Sequence, residues 1–304
     1  MTPEPSARST SVRQRLLDRA RARNEDYNFV LSQYAVERFL YRLSRSAHRD
    51  RFVLKGASLF WLWSGNPHRA TWDLDLLGRS GSIPEIEAAV REICETTVED
   101  DGLLFDAESV HGEAIREEQE YEGVRTRLLV HLGVAKIPLQ VDVGFGDAVI
   151  PPPRFEDYPS ALDHPQARVL AYSKETVVAE KFEATVALGA RNSRMKDFYD
   201  LHFLATRFEF SGSVLGEAVR ATFHRRGTPL PEETPFGLTE EFASMPERAT
   251  QWRAFIRRGR LPDEASLASC QELIRAFLVP VLRAVRDVAG FDGLWPPGGP
   301  WRSR

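Results

Sequence analysis

Thr71-Trp72-Asp73-Leu74-Asp75-Leu76-Leu77 alternates polar and apolar side chains and reads as a strand with one polar face. Residues two apart on a strand point to the same side, so Asp73 and Asp75 project together while Trp72, Leu74 and Leu76 turn into the opposite layer. Two adjacent carboxylates on a largely apolar strand repel each other and lose hydration, and they need a compensating partner. A hard divalent cation, Mg²⁺ or Mn²⁺, supplies it through oxygen ligands. A salt bridge or plain exposure to water answers the same need, and the pair alone does not choose among them.

Upstream, Arg51 to Leu54 forms a short apolar strand that enters a turn at Lys55-Gly56 and continues into a helix from Ala57 to Trp63. Backbone N–H groups at a helix start suit a phosphate, Gly56 permits a close backbone approach, and Ser58 offers a hydroxyl donor. An ordinary tight turn has the same signature. Ser64-Gly65-Asn66-Pro67 is turn chemistry. Downstream, Ser82 as N-cap and Pro84 in the first turn open an amphipathic helix from Ile83 to Val98. Leu103 to Val110, Val124 to Val134 and Ile137 to Phe145 read as further strands, the last with Asp142 between two valines. If that strand pairs beside Thr71 to Leu77, three carboxylates converge on one face and can hold metal. The competing assignment makes Asp142 the partner of Arg125 or Arg127 on the neighbouring strand.

Helical periodicity also marks Ser11 to Arg23 and Asn28 to Ala47, and from Ser173 onward it covers Lys174 to Leu188, Ser193 to Thr206, Ser213 to Arg225, Leu238 to Arg257 and Glu264 to Val288. The consecutive prolines in Ile150 to Pro153 mark a linker. The expected organisation is α+β: a Pro- and Ser-rich disordered leader (1–10), a mixed-sheet domain with flanking helices (11–172), a helical bundle (173–294) and a poorly packed Pro/Gly-rich tail (295–304). With 42% hydrophobic and 28% charged residues and no apolar run near the ~20 residues of a membrane span, a cytoplasmic protein is expected. Cys94 and Cys270 stand far apart in amphipathic stretches without metal-ligand spacing, as buried free thiols do. Net charge is only −4, but residues 81–160 carry 6 Lys/Arg against 18 Asp/Glu, whereas residues 187–260 carry 12 against 9. That asymmetry fits either a basic surface in the helical half or ordinary solvated helix faces.

Leu54-Lys55-Gly56-Ala57-Ser58 followed by Arg69-Ala70-Thr71-Trp72-Asp73-Leu74-Asp75 resembles the first motif of the AbiEii/MenT-type toxins, nucleotidyltransferase-like members of the DNA polymerase β superfamily. Val178-Ala179-Glu180-Lys181-Phe182-Glu183-Ala184 and Asn192 to Leu201 (Asn-Ser-Arg-Met-Lys-Asp-Phe-Tyr-Asp-Leu) are similar to that family's downstream lysine and Arg-x-x-Asp-x-x-Asp elements. The matches together span Leu54 to Leu201. They imply a polymerase-β-like nucleotidyltransferase domain and the toxin of a toxin–antitoxin or phage-defence pair. Such an enzyme uses Mg²⁺ and a nucleoside triphosphate to modify RNA, and relatives add nucleotides to the 3′ end of tRNA, which stops translation. By the same resemblance Asp73 and Asp75 bind metal, with Asp142 as the superfamily's third carboxylate. Lys181 contacts the triphosphate, Asp197 or Asp200 is a further catalytic or positioning acid, and Gly56, Ala57 and Ser58 form the nucleotide-binding turn. The family usually has Gly-Gly where this chain has Gly56-Ala57, which puts a methyl group near that turn.

The residues agree with these roles without requiring them. Lys181 stands mid-helix among apolar neighbours, where a compact ammonium suits either phosphate oxygens or an ion pair with Glu180 or Glu183. Asp197 and Asp200 share a helix face, with Arg194 and Lys196 near enough to neutralise them. Arg69 and Arg191 are candidate phosphate contacts. Thr71, two residues before Asp73, is a candidate phosphorylation site, since a phosphate there would repel the triphosphate and let a partner kinase silence the enzyme. Expected partners are thus an NTP, tRNA or another RNA acceptor, and a cognate antitoxin, either a kinase or a transcriptional repressor; no membrane is expected. Two other readings of the chain are a catalytically silent nucleotidyltransferase-fold binding protein and a DxD glycosyltransferase using a sugar nucleotide. The latter leaves the Lys55-Gly56 turn and the Lys181, Asp197 and Asp200 elements without a role.

Overall fold

The structure, a computed structural model, describes residues 6–65, 68–116, 122–262 and 265–303. Residues 1–5 of the expected leader, Asn66 and Pro67 of the expected turn, Glu264 at the head of the last expected helix and Arg304 of the tail lie outside the described residues. The chain divides into two compact units, one of Met1–Gly146 with Arg154–Tyr172, the other of Asp147–Pro153 with Ser173–Arg304.

The first unit runs α1 (Ala7–Arg23), α2 (Tyr27–Arg45), β1 (Phe52–Lys55), α3 (Ser58–Ser64), β2 (Asp73–Gly78), α4 (Ile83–Cys94), β3 (Leu103–Arg116), β4 (Glu122–Leu132), β5 (Ala135–Phe145), β6 (Arg154–Tyr158) and β7 (Ala167–Ala171). Helix α1 starts at Ala7, inside the stretch read as a leader, because the Ser6 hydroxyl caps it by accepting from Ser9 N–H at 3.0 Å. Among the described residues, seven strands form one mixed sheet in the order β3-β4-β5-β2-β1-β7-β6. β2 runs parallel to β5 and antiparallel to β1, and β7 adds parallel to β1. β6 and β7 carry little alternation of their own, and the edge of β1 organises them.

One side of β2 and β5 forms the core. Leu74, Leu76, Val141 and Val143 are each at most 1% exposed, and burying side chains of this size contributes roughly 1.5–3 kcal/mol apiece. The long apolar stripe of α2 packs against β5 and β7. Its buried Arg38 and Arg42 are neutralised by Asp101, with Arg42 Nη1 at 2.6 Å from Asp101 Oδ2. Trp72 departs from expectation: β2 begins only at Asp73, so Trp72 is 52% exposed and meets Phe29 edge-on at 5.9 Å instead of joining the apolar layer.

The second unit contains α5 (Lys174–Leu188), α6 (Met195–Arg207), β8 (Phe210–Ser211), α7 (Gly212–Arg226), α8 (Glu240–Ser244), α9 (Pro246–Gly259), α10 (Leu267–Arg286), β9 (Gly293–Trp295) and β10 (Arg302–Ser303). Phe182, Phe198, Phe223, Ile274 and Phe277 are fully buried in its core. The single helix expected over Leu238 to Arg257 is broken at Met245-Pro246, since proline lacks the N–H that a continuing helix requires and instead opens α9. The tail also differs from expectation. Trp295 is 1% exposed and donates Nε1–H to the Ala205 carbonyl at 2.8 Å, and Trp301 donates to the Phe277 carbonyl at 2.8 Å. The large area of each indole outweighs the surrounding Pro and Gly. Both cysteines are free and buried. Among the described residues no helix is long and apolar enough to cross a membrane.

Candidate active site

Strand register assembles the carboxylates. In the parallel pairing of β2 with β5, Asp73 stands opposite Gln140 and Asp75 opposite Asp142. The antiparallel neighbours extend this row, placing Lys55 of β1 opposite Asp75, Arg125 of β4 opposite Asp142, and Glu113 of β3 opposite Arg125. Directly opposed residues share a face, so a ladder of charge runs across five strands on the side away from the Leu74/Val141 core. One carboxylate oxygen from each of Asp73, Asp75 and Asp142 lies within 4.8 Å of the others, and all three side chains are half-buried. Both readings of Asp142 are therefore realised at once. It joins the triad, and it also accepts Arg125 Nε at 2.9 Å and Nη2 at 2.7 Å, with Gln140 Nε2 at 3.2 Å.

The surroundings fit a cation held by oxygen. Thr71 donates its hydroxyl to Asp73 Oδ1 at 2.5 Å, which turns that carboxylate. Gly56 has φ +72°, and a Cβ added there would collide with the Asp75 carboxylate. The turn thus lies directly against the triad, and glycine is required both by its left-handed backbone and by the close approach. The ammonium of Lys55 reaches over the Tyr172 ring, 5.6 Å from its centroid. Ala57 occupies the N-cap position of the short α3, which has no side-chain cap. Ser58 is 3% exposed, its hydroxyl buried beside Tyr158, and Arg69 is half-buried in the bend before β2.

Lys181, Asp197 and Asp200 form a second cluster, inside the helical unit. Lys181 Nζ lies 2.8 Å from both Asp197 Oδ1 and Asp200 Oδ2, and Arg194 Nε lies 2.7 Å from Asp197 Oδ2. Asn192, buried just before α6, accepts the Arg194 N–H at 2.9 Å and shapes the turn that brings Asp197 into the first helical turn. Burial alone would push the Asp197 carboxyl up, yet Lys181 and Arg194 hold it below the ordinary carboxylate range. Arg191 is exposed.

Three features of the charge arrangement were not drawn from the sequence. Lys55 and Gln140 owe their places to register, and only the Lys-Gly at the strand end hinted at the first. The buried pair of Arg226 with Glu183, 2.7 Å apart and joined by the Thr228 hydroxyl, links residues distant in sequence with no local pattern to announce it.

A carboxylate triad on the open face of a mixed sheet, with a glycine turn pressed against it, defines a nucleotidyltransferase. A family model described as the nucleotidyl transferase AbiEii toxin of type IV toxin–antitoxin systems matches residues 38–278, and the chain belongs to that family. No curated protein matches it. Among solved structures, a candidate nucleotidyltransferase from H. pylori is 13% identical with a TM-score of 0.46, covering 85% of this chain and 96% of that one. JHP933 from Helicobacter pylori is likewise 13% identical, with a TM-score of 0.45 and coverage of 85% and 94%.

Proposed function

We propose that the protein is a metal-dependent toxin that transfers nucleotides from an NTP to the 3′ end of an RNA, foremost a tRNA, and so blocks translation. The observation that carries this reading is the approach of Asp73, Asp75 and Asp142 oxygens within 4.8 Å on a half-buried face, in a chain of the AbiEii family. These three side chains would hold Mg²⁺ or Mn²⁺, which when bound activates the attacking oxygen and stabilises the leaving pyrophosphate. Gly56 keeps the turn close to Asp75, and with Ala57 and Ser58 it forms the segment assigned to the nucleotide. Lys181 is the ammonium assigned to the triphosphate, with Asp197 and Asp200 holding its side chain in place; Arg69 is assigned to a phosphate. Arg253, Arg257, Arg258 and Arg260, all exposed on α9 or at its end, supply a basic face for an RNA backbone.

The type IV toxin–antitoxin family implies an antitoxin. We assign it the role of kinase or transcriptional repressor. The hydrogen bond from Thr71 to Asp73 favours the kinase, since a phosphate on that hydroxyl would place about two negative charges beside the triad. Full metal-dependent activity in a stoichiometrically phosphorylated sample would dismiss that role.

The decisive assay incubates the protein with Mg²⁺, each labelled NTP in turn and total tRNA. Label at RNA 3′ ends is expected with at least one NTP. Absence of transfer with every NTP, together with no growth effect on expression, would refute the toxin reading.

A further inference from the structure

Asp142 differs from the other two carboxylates of the triad in already having a cation. Both of its oxygens are engaged by the Arg125 fork, at 2.9 and 2.7 Å, whereas Asp73 accepts from the neutral Thr71 hydroxyl. Arg125 lies on β4, beyond β5 from β2, so it approaches Asp142 from the side away from Asp75. Its charge also interacts with Glu113 and Asp73, so it screens more than its direct partner. With a side chain 31% exposed it can turn to water, while the neighbouring Arg127 is engaged by Glu113 at 2.7 Å. A neutral donor behind a ligand orients it for a metal. A guanidinium in the same place does so at the cost of like-charge repulsion with any cation that shares the carboxylate.

Resting on the metal-dependent reading above, we propose that Arg125 is the resident counter-ion of the triad and competes with the divalent ion for Asp142. The protein by itself consequently holds a free divalent cation only weakly, and Arg125 acts as a positioning residue that sets this affinity.

The test titrates Mn²⁺ alone into the full-length protein, reading unbound Mn²⁺ from its electron paramagnetic resonance signal and the fold from circular dichroism. Arg125→Met, with Arg125→Gln as a second neutral variant, is expected to bind Mn²⁺ on the order of tenfold tighter than wild type, the scale on which groups behind a ligand act. Arg125→Lys retains the charge and is expected to stay near wild type. Adding Asp142→Asn to Arg125→Met is expected to erase the gain. Unchanged or weaker binding in the folded neutral variants, or no measurable binding in either wild type or variants, would overturn the proposal. Asp73→Ala separates the two levels: if it abolishes Mn²⁺ binding while Arg125→Met changes nothing, the metal-dependent reading stands and the role of Arg125 falls. If Asp73→Ala binds as wild type does, both fall.

Discussion

The two acidic clusters of this protein share a composition and differ in their balance of charge. Asp73, Asp75 and Asp142 sit half-buried on the open face of the sheet, with Arg125 engaging one of them from the flank. Asp197 and Asp200 are 1% and 0% exposed inside the helical unit, with Lys181 touching both and Arg194 touching the first. Buried charge survives only when neutralised internally, and breaking one partner of such a pair is expensive. A half-exposed cluster tolerates surplus negative charge, and the surplus is what can attract a cation. The first cluster is accordingly built to exchange its partner and the second to keep it.

The largest expected effect comes from Asp73→Ala, which should lower nucleotide transfer by about 10³-fold or more while leaving the thermal midpoint intact, because it relieves repulsion in the triad. An equal loss of stability in a melt would erase the distinction between the clusters. Lys181→Met should do the reverse on stability. It strands two buried carboxylates and should cost about 3–5 kcal/mol in urea unfolding. A neutral result there would mean that the helical cluster is no more internally balanced than the triad.

Gly56→Ala probes how tightly the turn fits. A side chain at φ +72° strains the backbone and pushes into the Asp75 carboxylate, so about 1–2 kcal/mol of stability should go together with roughly 10²-fold of transfer. Wild-type transfer rates in the folded variant would detach the turn from the site. The smallest effect is on pH dependence. The Asp197 carboxyl is held below its ordinary range, so its contribution is present in full above the unfolded carboxylate pKa of about 3.9. It is lost as pH falls through the lower folded value. Urea midpoints measured below about pH 5 should therefore decline less steeply in Asp197→Asn than in wild type.

Much of the triad was legible in the chain because strand alternation is a local property. Asp73 and Asp75 had to share a face once β2 was a strand, and the valines around Asp142 announced another strand of the same kind. The rivalry over Asp142 was legible as well, though its resolution was not, for a carboxylate has lone pairs enough for a guanidinium and a further partner. Trp72 misled because strand periodicity was extended two residues past the point where pairing begins. The tail misled because Pro and Gly content was weighed without its tryptophans.

By itself, then, the sequence determined the elements and the side of each that carries charge, since periodicity, caps and turn residues act within a few positions. It also determined the family, through motifs spread along most of the chain. Only the tertiary structure decided that β5 lies beside β2 in a register that sets Asp142 against Asp75, that Arg125 reaches this carboxylate from the other flank, and that Lys181 is clasped by both Asp197 and Asp200. Such contacts join residues far apart in the chain, and they are selected by the packing of whole layers, which no local pattern encodes.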